Sequence, residues 1–301
     1  MTTTFTGVGT ALVTPFTASG ELDDAAVRRL GRRQIDAGIH FLVPCGTTGE
    51  NPTLNHDERV RTVEILADEA AGRVPILAGA GGYDTREVVH LAASMKKAGA
   101  TGLLSVTPYY NKPTQEGLFQ HYRAIAESTD LPIIVYNVPG RAGVNVEPAT
   151  LARLAAAFPN IVGVKEASGN IGQMVEICRL LPADFIVLSG DDALTLPLMA
   201  VGGKGVISVA SNEIPGEMVA MVEAGLRGDF AAARAVHNRI MPLMQVNFVE
   251  SNPVPVKAAM AAMGLLEEVY RLPMCGPTAA SRDKIANVLK SMNLLAPAHA
   301  S

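Results

Sequence analysis

A pattern repeated eight times most constrains the fold of this chain. Between residues 7 and 228, eight short apolar runs each precede a longer segment with helical spacing. Most runs carry Val, Ile or Leu at consecutive positions, which is typical of strands buried on both faces of a parallel sheet. Parallel strands joined by helices predict an α/β fold, a (β/α)8 TIM barrel, although periodicity leaves a doubly wound open sheet as an alternative. The predicted strands are 7–16, 40–45, 74–79, 102–108, 132–138, 161–167, 185–190 and 205–210.

The last part of the chain shows a different organisation. After residue 228 only helical patterns occur, and proline-containing joints at Asn252-Pro253-Val254-Pro255 and Leu272-Pro273 separate them. We therefore predict a catalytic barrel domain over residues 1–228 and a C-terminal helical domain over residues 229–301. The predicted helices of this domain are 229–244, 254–263 and 281–294.

Three polar residues mark the start of predicted barrel helices. Asp57, Asp84 and Thr114 each precede or open a segment with helical spacing. Their side-chain oxygens can accept a hydrogen bond from a free N–H of the first turn. We therefore predict all three as N-caps.

Composition excludes several functional classes. Apolar residues make up 48% of the chain and charged residues 18%, so a large core is available and disorder is excluded as the main state. The net charge of −4 without basic runs argues against nucleic acid and anionic membranes as partners. We find neither a signal peptide pattern at the first residues nor an apolar run that could span a membrane. We therefore expect a soluble cytoplasmic protein that acts as an enzyme.

Metal and disulfide chemistry have no visible residue pattern. The three cysteines are far apart and form no CxxC, and the six histidines show no HxH or HxxxH spacing. Asp191 and Asp192 after the seventh strand could ligate a metal, but capping or hydrogen bonding is the commoner role of such a pair. We therefore expect no metal site.

Lys165 is the first candidate catalytic residue. It lies in the apolar sixth strand, and catalysis in such barrels takes place where strands end. Desolvation disfavours an ammonium group, so a lysine there can present a neutral amine that attacks a carbonyl. The alternative is a lysine paired with a carboxylate, although Glu166 points to the opposite face of the strand.

Other strand ends carry polar groups with more than one interpretation. Tyr136 could relay protons and Arg141 could bind a carboxylate, or they could be a core tyrosine and a solvated arginine. Thr47 and Thr48 between glycines could present hydroxyls to a carboxylate or form a simple turn. Tyr109 and Tyr110 follow the fourth predicted strand. This tyrosine pair could pack at a subunit interface or reach into an active site.

Taken together, these residues resemble the dihydrodipicolinate synthase family of pyruvate-dependent class I aldolases. The resemblance covers essentially the whole chain in order, without large insertions. Its motifs are Gly46-Thr47-Thr48-Gly49-Glu50, Tyr136-Asn137-Val138-Pro139-Gly140-Arg141, Gly163-Val164-Lys165-Glu166-Ala167 and the stretches 109–117, 188–192, 205–209 and 252–257.

The resemblance implies a role for each matching residue. Lys165 would form a Schiff base with pyruvate, while Tyr136 would shuttle protons. Because the lysine imine would be the electron sink, the resemblance implies no metal and no organic cofactor. Tyr136 would be linked by hydrogen bonds to Thr47 and to Tyr110, the latter from a neighbouring subunit of a homotetramer built as a dimer of dimers. The residues implied to bind substrate are Thr47, Thr48 and the backbone of Ile207 for pyruvate, and Arg141 for the carboxylate of L-aspartate 4-semialdehyde.

The implied activity is the synthesis of 4-hydroxy-tetrahydrodipicolinate in lysine and diaminopimelate biosynthesis. Related barrels share the lysine and tyrosine but act as N-acetylneuraminate lyases or 2-keto-3-deoxy sugar-acid aldolases. Arg141 favours the synthase, whereas Ala142 stands where threonine is commoner. A binding protein on an inactive barrel is a further alternative, and the complete residue set argues against it.

The resemblance also implies an allosteric cleft that binds L-lysine in many plant and Gram-negative members. Two residues depart from the inhibited pattern, with Arg59 in place of histidine and Tyr83 in place of asparagine. Arg59 would repel the cationic side chain of lysine, and the bulky ring of Tyr83 would occupy part of the cleft. We therefore expect weak or absent inhibition by lysine. The cleft residues carried over are Asn51, His56, Arg59, Tyr83, Glu87 and Tyr109.

Overall fold

The computed structural model describes residues 5–295, and its eight strands are all parallel. They follow the order β2-β1-β8-β7-β6-β5-β4-β3. A parallel bridge between Leu42 and Ile76 joins the two outer strands and closes the ring into a barrel, which excludes the open-sheet alternative. The strands are β1 (Gly7–Ala11), β2 (Phe41–Val43), β3 (Leu77–Gly79), β4 (Gly102–Val106), β5 (Ile133–Asn137), β6 (Ile161–Glu166), β7 (Ile186–Ser189) and β8 (Gly205–Ser208).

Helices surround the barrel and continue into the C-terminal region. Short 3-10 turns at Asn51–Thr53, Asp192–Leu194 and Ala210–Asn212 follow strands β2, β7 and β8. The helices are α1 (Asp24–Asp36), α2 (His56–Ala70), α3 (Thr85–Lys97), α4 (Gln115–Ser128), α5 (Pro139–Ala142), α6 (Pro148–Ala157), α7 (Ile171–Leu180), α8 (Thr195–Ala200), α9 (Pro215–Leu226), α10 (Phe230–Val246), α11 (Val254–Ala262) and α12 (Ala279–Ser291).

Both faces of each strand are buried, which explains the continuous apolar runs. On β5, Ile134 and Tyr136 belong to the cluster inside the barrel, whereas Ile133 and Val135 pack toward the helices. On β6, Val164 likewise packs in the outer layer. Since side chains alternate along a strand, Lys165 shares the inward face of the barrel with Tyr136.

The first predicted strand is longer than the observed one. Strand β1 ends at Ala11, although the apolar sequence continues to Phe16. Val13 packs instead in a small cluster with Val256 and Met260 of α11. Val13 therefore serves contact with α11, whereas Leu12 and Phe16 of the same segment pack in the main core.

Two of the three predicted N-caps are confirmed. Asp84 and Thr114 accept backbone N–H groups at the starts of α3 and α4. The prediction for Asp57 is wrong, because Asn55 caps α2 and Glu58 completes a capping box with it. The reciprocal pair satisfies two free N–H groups, which is why the helix begins at His56.

No helix within the described part of the chain is long and apolar enough to cross a bilayer. The same residues contain no group of three His, Cys, Asp or Glu side chains placed to bind a metal ion.

Candidate active site

Lys165 lies on β6 without a carboxylate partner. Its side chain is buried, and no ion pair among residues 5–295 includes it. Glu166 faces the outer layer, where it accepts hydrogen bonds from Asn137 Nδ2 at 2.9 Å and from the Ser168 backbone N–H at 2.7 Å. The structure therefore excludes the pairing of Lys165 with Glu166.

The aromatic ring of Tyr136 lies beside the lysine amine. Tyr136 on β5 is in register with Lys165, and the lysine Nζ lies 4.3 Å from the centroid of its ring. Gly190, after β7, leaves room for the lysine, since a Cβ there would lie 3.1 Å from Lys165 Cε and 2.5 Å from Ala167 Cβ. The sequence thus places an amine and a phenol side by side at the carboxyl end of the barrel.

Two cavities meet at this position. One, of about 130 Å³, reaches Lys165, and the other, of about 200 Å³, lies beside it. They share the four lining residues Thr47, Tyr136, Val138 and Arg141. Together the cavities form a polar-rimmed space with the lysine amine at its inner end, suited to a small carbonyl compound and a second reactant.

The loop after β2 carries the two candidate threonines. Thr48 is buried, and its Oγ1 accepts a hydrogen bond from Asn252 Nδ2 at 2.9 Å. Thr14 Oγ1 donates to the Gly49 carbonyl at 2.6 Å, which ties the loop to the segment after β1. Thr47 lines both cavities, and within the described residues its hydroxyl makes no direct hydrogen bond to Tyr136.

A buried ion pair anchors the same loop to the C-terminal region. Lys257 on α11 donates to Glu50 Oε1 at 2.5 Å and to the Thr14 carbonyl at 3.1 Å. Both charged side chains are almost completely buried, and the amine also lies 4.4 Å from the ring centroid of Phe16. Burial lowers the pKa of Lys257, and the charge of Glu50 opposes this effect.

Arg141 lies at the rim on the short helix α5. Its Nη2 donates to the Asn252 carbonyl at 3.2 Å, and the guanidinium lines both cavities. Asn252 therefore contacts Arg141 through its backbone and Thr48 through its side chain. Sequence analysis assigned Asn252 to a proline-containing joint and missed this position, because its partners are 111 and 204 residues away.

Two other predicted residues lie outside the cavities. Tyr110 is 92% exposed and lines neither of the cavities that Tyr136 lines. Its φ of 71° places it in the left-handed region, which is unfavourable for a tyrosine. Ile207 is buried in the barrel interior on β8, and Val209 just beyond it lines the inner cavity.

A separate cavity of about 310 Å³ contains five of the six predicted cleft residues. Arg59 donates to the carbonyls of Leu54 and Asn51, both at 3.0 Å. Asn51 lines the outer active-site cavity instead of the cleft. The lining residues among the predicted set are His56, Arg59, Tyr83, Glu87 and Tyr109.

Tyr83 narrows this cleft on one side. It is 59% exposed, and its ring meets that of Tyr109 edge to face with centroids 5.3 Å apart. Burial is the main cause of a raised pKa for Tyr109.

Comparison with known proteins identifies the family. The model of the dihydrodipicolinate synthetase family matches residues 4–292. The chain belongs to this family. A relative from Koribacter versatilis named 4-hydroxy-tetrahydrodipicolinate synthase is 53% identical over 290 residues, covering 96% of both chains. Another of the same name, from Chlorobium phaeobacteroides, is 50% identical over 96% of this chain and 97% of the relative.

Solved structures of this family superpose closely on the barrel and its C-terminal helices. The dihydrodipicolinate synthase from Thermotoga maritima gives a TM-score of 0.95 at 48% identity, covering 97% of this chain and 99% of that chain. The enzyme from Cyanidioschyzon merolae, solved with lysine bound, gives 0.93 at 41% identity, with 97% and 99% coverage. The family members thus share one fold over nearly the whole chain, and the expected (β/α)8 barrel with a C-terminal helical region is confirmed.

Proposed function

We propose that this chain is a lyase that condenses pyruvate with L-aspartate 4-semialdehyde to give 4-hydroxy-tetrahydrodipicolinate. This reaction belongs to lysine and diaminopimelate biosynthesis. The observation that carries the proposal is the Lys165 amine, buried without a carboxylate partner beside the Tyr136 ring. Relatives with 50–53% sequence identity to this chain are named 4-hydroxy-tetrahydrodipicolinate synthase.

Lys165 and Tyr136 perform the first half of the reaction. The Lys165 Nζ attacks the ketone of pyruvate, and loss of water leaves an imine whose protonated nitrogen withdraws electrons. Loss of a methyl proton then gives an enamine. Tyr136 donates and accepts the protons that these steps require, because its phenol shares the inward face of the barrel with the amine. Thr47, Thr48 and the backbone of Ile207 hold the carboxylate end of pyruvate.

Arg141 selects the second substrate. The enamine carbon adds to the aldehyde of L-aspartate 4-semialdehyde, and the amine of that substrate closes the ring and releases Lys165. A guanidinium forms paired, charge-assisted hydrogen bonds to a carboxylate. The position of Arg141 on the shared rim of the two cavities supports binding of the semialdehyde carboxylate there.

We also propose a homotetramer built as a dimer of dimers, in which Tyr110 completes the active site of a neighbouring subunit. Tyr110 is almost fully exposed and lines neither active-site cavity of its own chain, which leaves its ring available to a neighbouring subunit. In the tetramer, its hydroxyl would join the proton relay of Tyr136 and Thr47 from the partner.

Borohydride trapping tests the lysine. Reduction in the presence of pyruvate should attach one pyruvate-derived group to Lys165, located by peptide mass spectrometry, and should abolish activity. Lys165→Arg should give no adduct, since a guanidinium stays protonated. Lys204→Ala, at the opposite end of the barrel before β8, is the matched control and should be trapped like the wild type. An adduct on another lysine would refute the assignment.

A comparison of aldehydes tests the substrate. With pyruvate as the donor, the protein should turn over L-aspartate 4-semialdehyde faster than N-acetylmannosamine or glyceraldehyde. Faster reaction of either sugar aldehyde would support the sugar-acid aldolase alternative.

A further inference from the structure

Three buried side chains near the end of β8 present oxygen atoms that lack a hydrogen-bond donor. They are Asp192 in the 3-10 turn after β7, Glu213 after the 3-10 turn Ala210–Asn212, and Asn247 at the end of α10. Each is at most 2% exposed, and Asp192 Oδ1, Glu213 Oε1 and Asn247 Oδ1 have no partner among residues 5–295. Buried acceptors without a donor are destabilising, so this cluster requires one.

The second oxygen of each carboxyl group does have partners. Asp192 Oδ2 accepts the backbone N–H groups of Val209 and Ala210 at 3.0 and 2.9 Å. Glu213 Oε2 accepts a hydrogen bond from Asn247 Nδ2 at 2.5 Å. Asp192 therefore holds the backbone just beyond β8, where Val209 lines the inner active-site cavity.

No cation neutralises the two carboxyl groups. In the part of the chain that the structure describes, neither Asp192 nor Glu213 forms an ion pair. Arg33 of α1 directs its guanidinium to the backbone carbonyls of Asn212 and Glu213, at 2.8 and 2.6 Å. Burial is the main cause of a strongly raised pKa for Glu213; the nearby charge of Asp192 adds to this effect, and Arg33 opposes it.

The other polar groups around Asp192 are occupied. Asp191 Oδ1 accepts the Ala193 N–H at 2.9 Å, and His237 of α10 contacts the Ala193 carbonyl through Nε2 at 2.9 Å. The Ser208 hydroxyl accepts the Ser211 N–H at 2.9 Å. Burial raises the pKa of Asp192, and Ser208 opposes this effect while the charge of Asp191 adds to it.

We infer that Glu213 is protonated in the folded protein at neutral pH and donates this proton to Asp192 Oδ1, as a positioning residue. A protonated carboxyl group supplies the missing donor and satisfies two of the three unpartnered oxygens at once. One negative charge then remains, on Asp192, and the two N–H groups beyond β8 stabilise it. Glu213 thereby holds Asp192 against the turn that follows Ile207, whose backbone is proposed to bind pyruvate.

Infrared spectroscopy tests the proton without depending on the proposed function. A protonated carboxylic acid absorbs apart from carboxylates. At neutral pH the wild type should show a carboxylic acid band that is missing from Glu213→Gln, and carbon-13 labelling of glutamate should shift this band. Glu267→Gln, exposed after α11, is the matched control and should retain it. Absence of the band from the wild type, or a band that the glutamate label does not shift, would refute the inference.

Two substitutions of Glu213 test its positioning role, and this readout rests on the proposed function. Glutamine can donate to Asp192 and accept from Asn247, whereas leucine has a similar volume and can do neither. The KM for pyruvate should stay within about twofold of the wild type in Glu213→Gln and rise about fivefold or more in Glu213→Leu. The kcat of both variants should change by less than about twofold, because the groups that react are retained.

The outcomes of this comparison are distinct. A Glu213→Leu protein with a lower melting temperature but an unchanged KM would make the role structural only and overturn the positioning assignment. A Glu213→Gln protein as impaired as Glu213→Leu would show that the carboxyl group acts in its charged form. The infrared comparison needs only Glu213→Gln, so it decides the matter even if Glu213→Leu does not fold. If the wild type forms no pyruvate adduct on Lys165, the proposed function is wrong while the infrared result still decides the protonation of Glu213.

Discussion

Replacement of Lys257 by methionine should destabilise the protein strongly. Methionine keeps most of the apolar length of the side chain but removes the amine that pairs with Glu50. Both side chains are essentially inaccessible to water, so the remaining carboxylate would be a buried, unpaired charge. Such a change belongs to the most damaging class of single substitutions.

The geometry of the pair sets the magnitude. At the observed 2.5 Å between Nζ and Oε1, and with an effective dielectric constant of about 20, the attraction is roughly 7 kcal/mol. Removal of the lysine also removes the cost of burying its own charge, which offsets part of this loss. The net decrease in the free energy of unfolding should therefore be about 3–5 kcal/mol, the range for broken buried ion pairs.

Denaturant unfolding of a double-mutant cycle measures this quantity. Lys257→Met, Glu50→Gln and the double variant should be compared at one protein concentration. The double variant should recover at least half of the loss seen in Lys257→Met, because no buried charge is left unpaired. The KM for pyruvate should rise in Lys257→Met, since Glu50 ends the loop that carries Thr47 and Thr48. A loss below about 1 kcal/mol, or a double variant no more stable than the single one, would refute the reasoning.

Three further predictions follow from the site and the core. Arg141→Ala should lose about 2–4 kcal/mol of transition-state stabilisation with the semialdehyde while still trapping pyruvate, as kcat/KM and borohydride labelling will show. L-Lysine at millimolar concentration should inhibit the activity of the wild type weakly or not at all. The double variant Arg59→His, Tyr83→Asn should be inhibited more strongly. Half-inhibition of the wild type by submillimolar lysine would contradict this prediction. Burial lowers the pKa of His121 to about 4, below the ordinary 6.5. Unfolding therefore takes up a proton between these values, and stability should fall by up to about 3 kcal/mol as the pH drops from 6.5 to 4. His121→Gln should show a flatter pH dependence of the free energy of unfolding.

The barrel could be predicted from sequence because burial on both faces of its strands gives continuous apolar runs. Each predicted run contains an observed strand, and the helices between them begin close to the predicted residues. The errors arise where an apolar or polar residue has a partner outside its own element. Val13 packs on α11, and the cap of α2 is shared by Asn55 and Glu58, so Asp57 lies inside the helix.

The candidate site was predictable at the strand ends and less so elsewhere. Lys165, Tyr136 and Arg141 follow from their positions at the ends of β6 and β5, and the structure places them around one connected space. Their catalytic roles stay predictions. The site contacts of Asn252 could not be predicted because its partners Arg141 and Thr48 are more than a hundred residues away in the sequence. No local sequence pattern indicates contacts over such a separation. Tyr110 lines neither cavity of its own chain, so its predicted role requires a partner subunit.

The contacts of the C-terminal helices bear on how this barrel can be engineered. Asn252 holds Thr48 and Arg141, while Lys257 and the Arg271 backbone N–H hold Glu50, so residues beyond 228 shape the mouth of the barrel. Truncation at that boundary would remove groups that orient the active-site loop. Libraries that seek new aldehyde acceptors should therefore vary the Asn252 segment together with the strand-end loops. Grafting the barrel alone into a chimaera should yield a scaffold with a misplaced substrate loop.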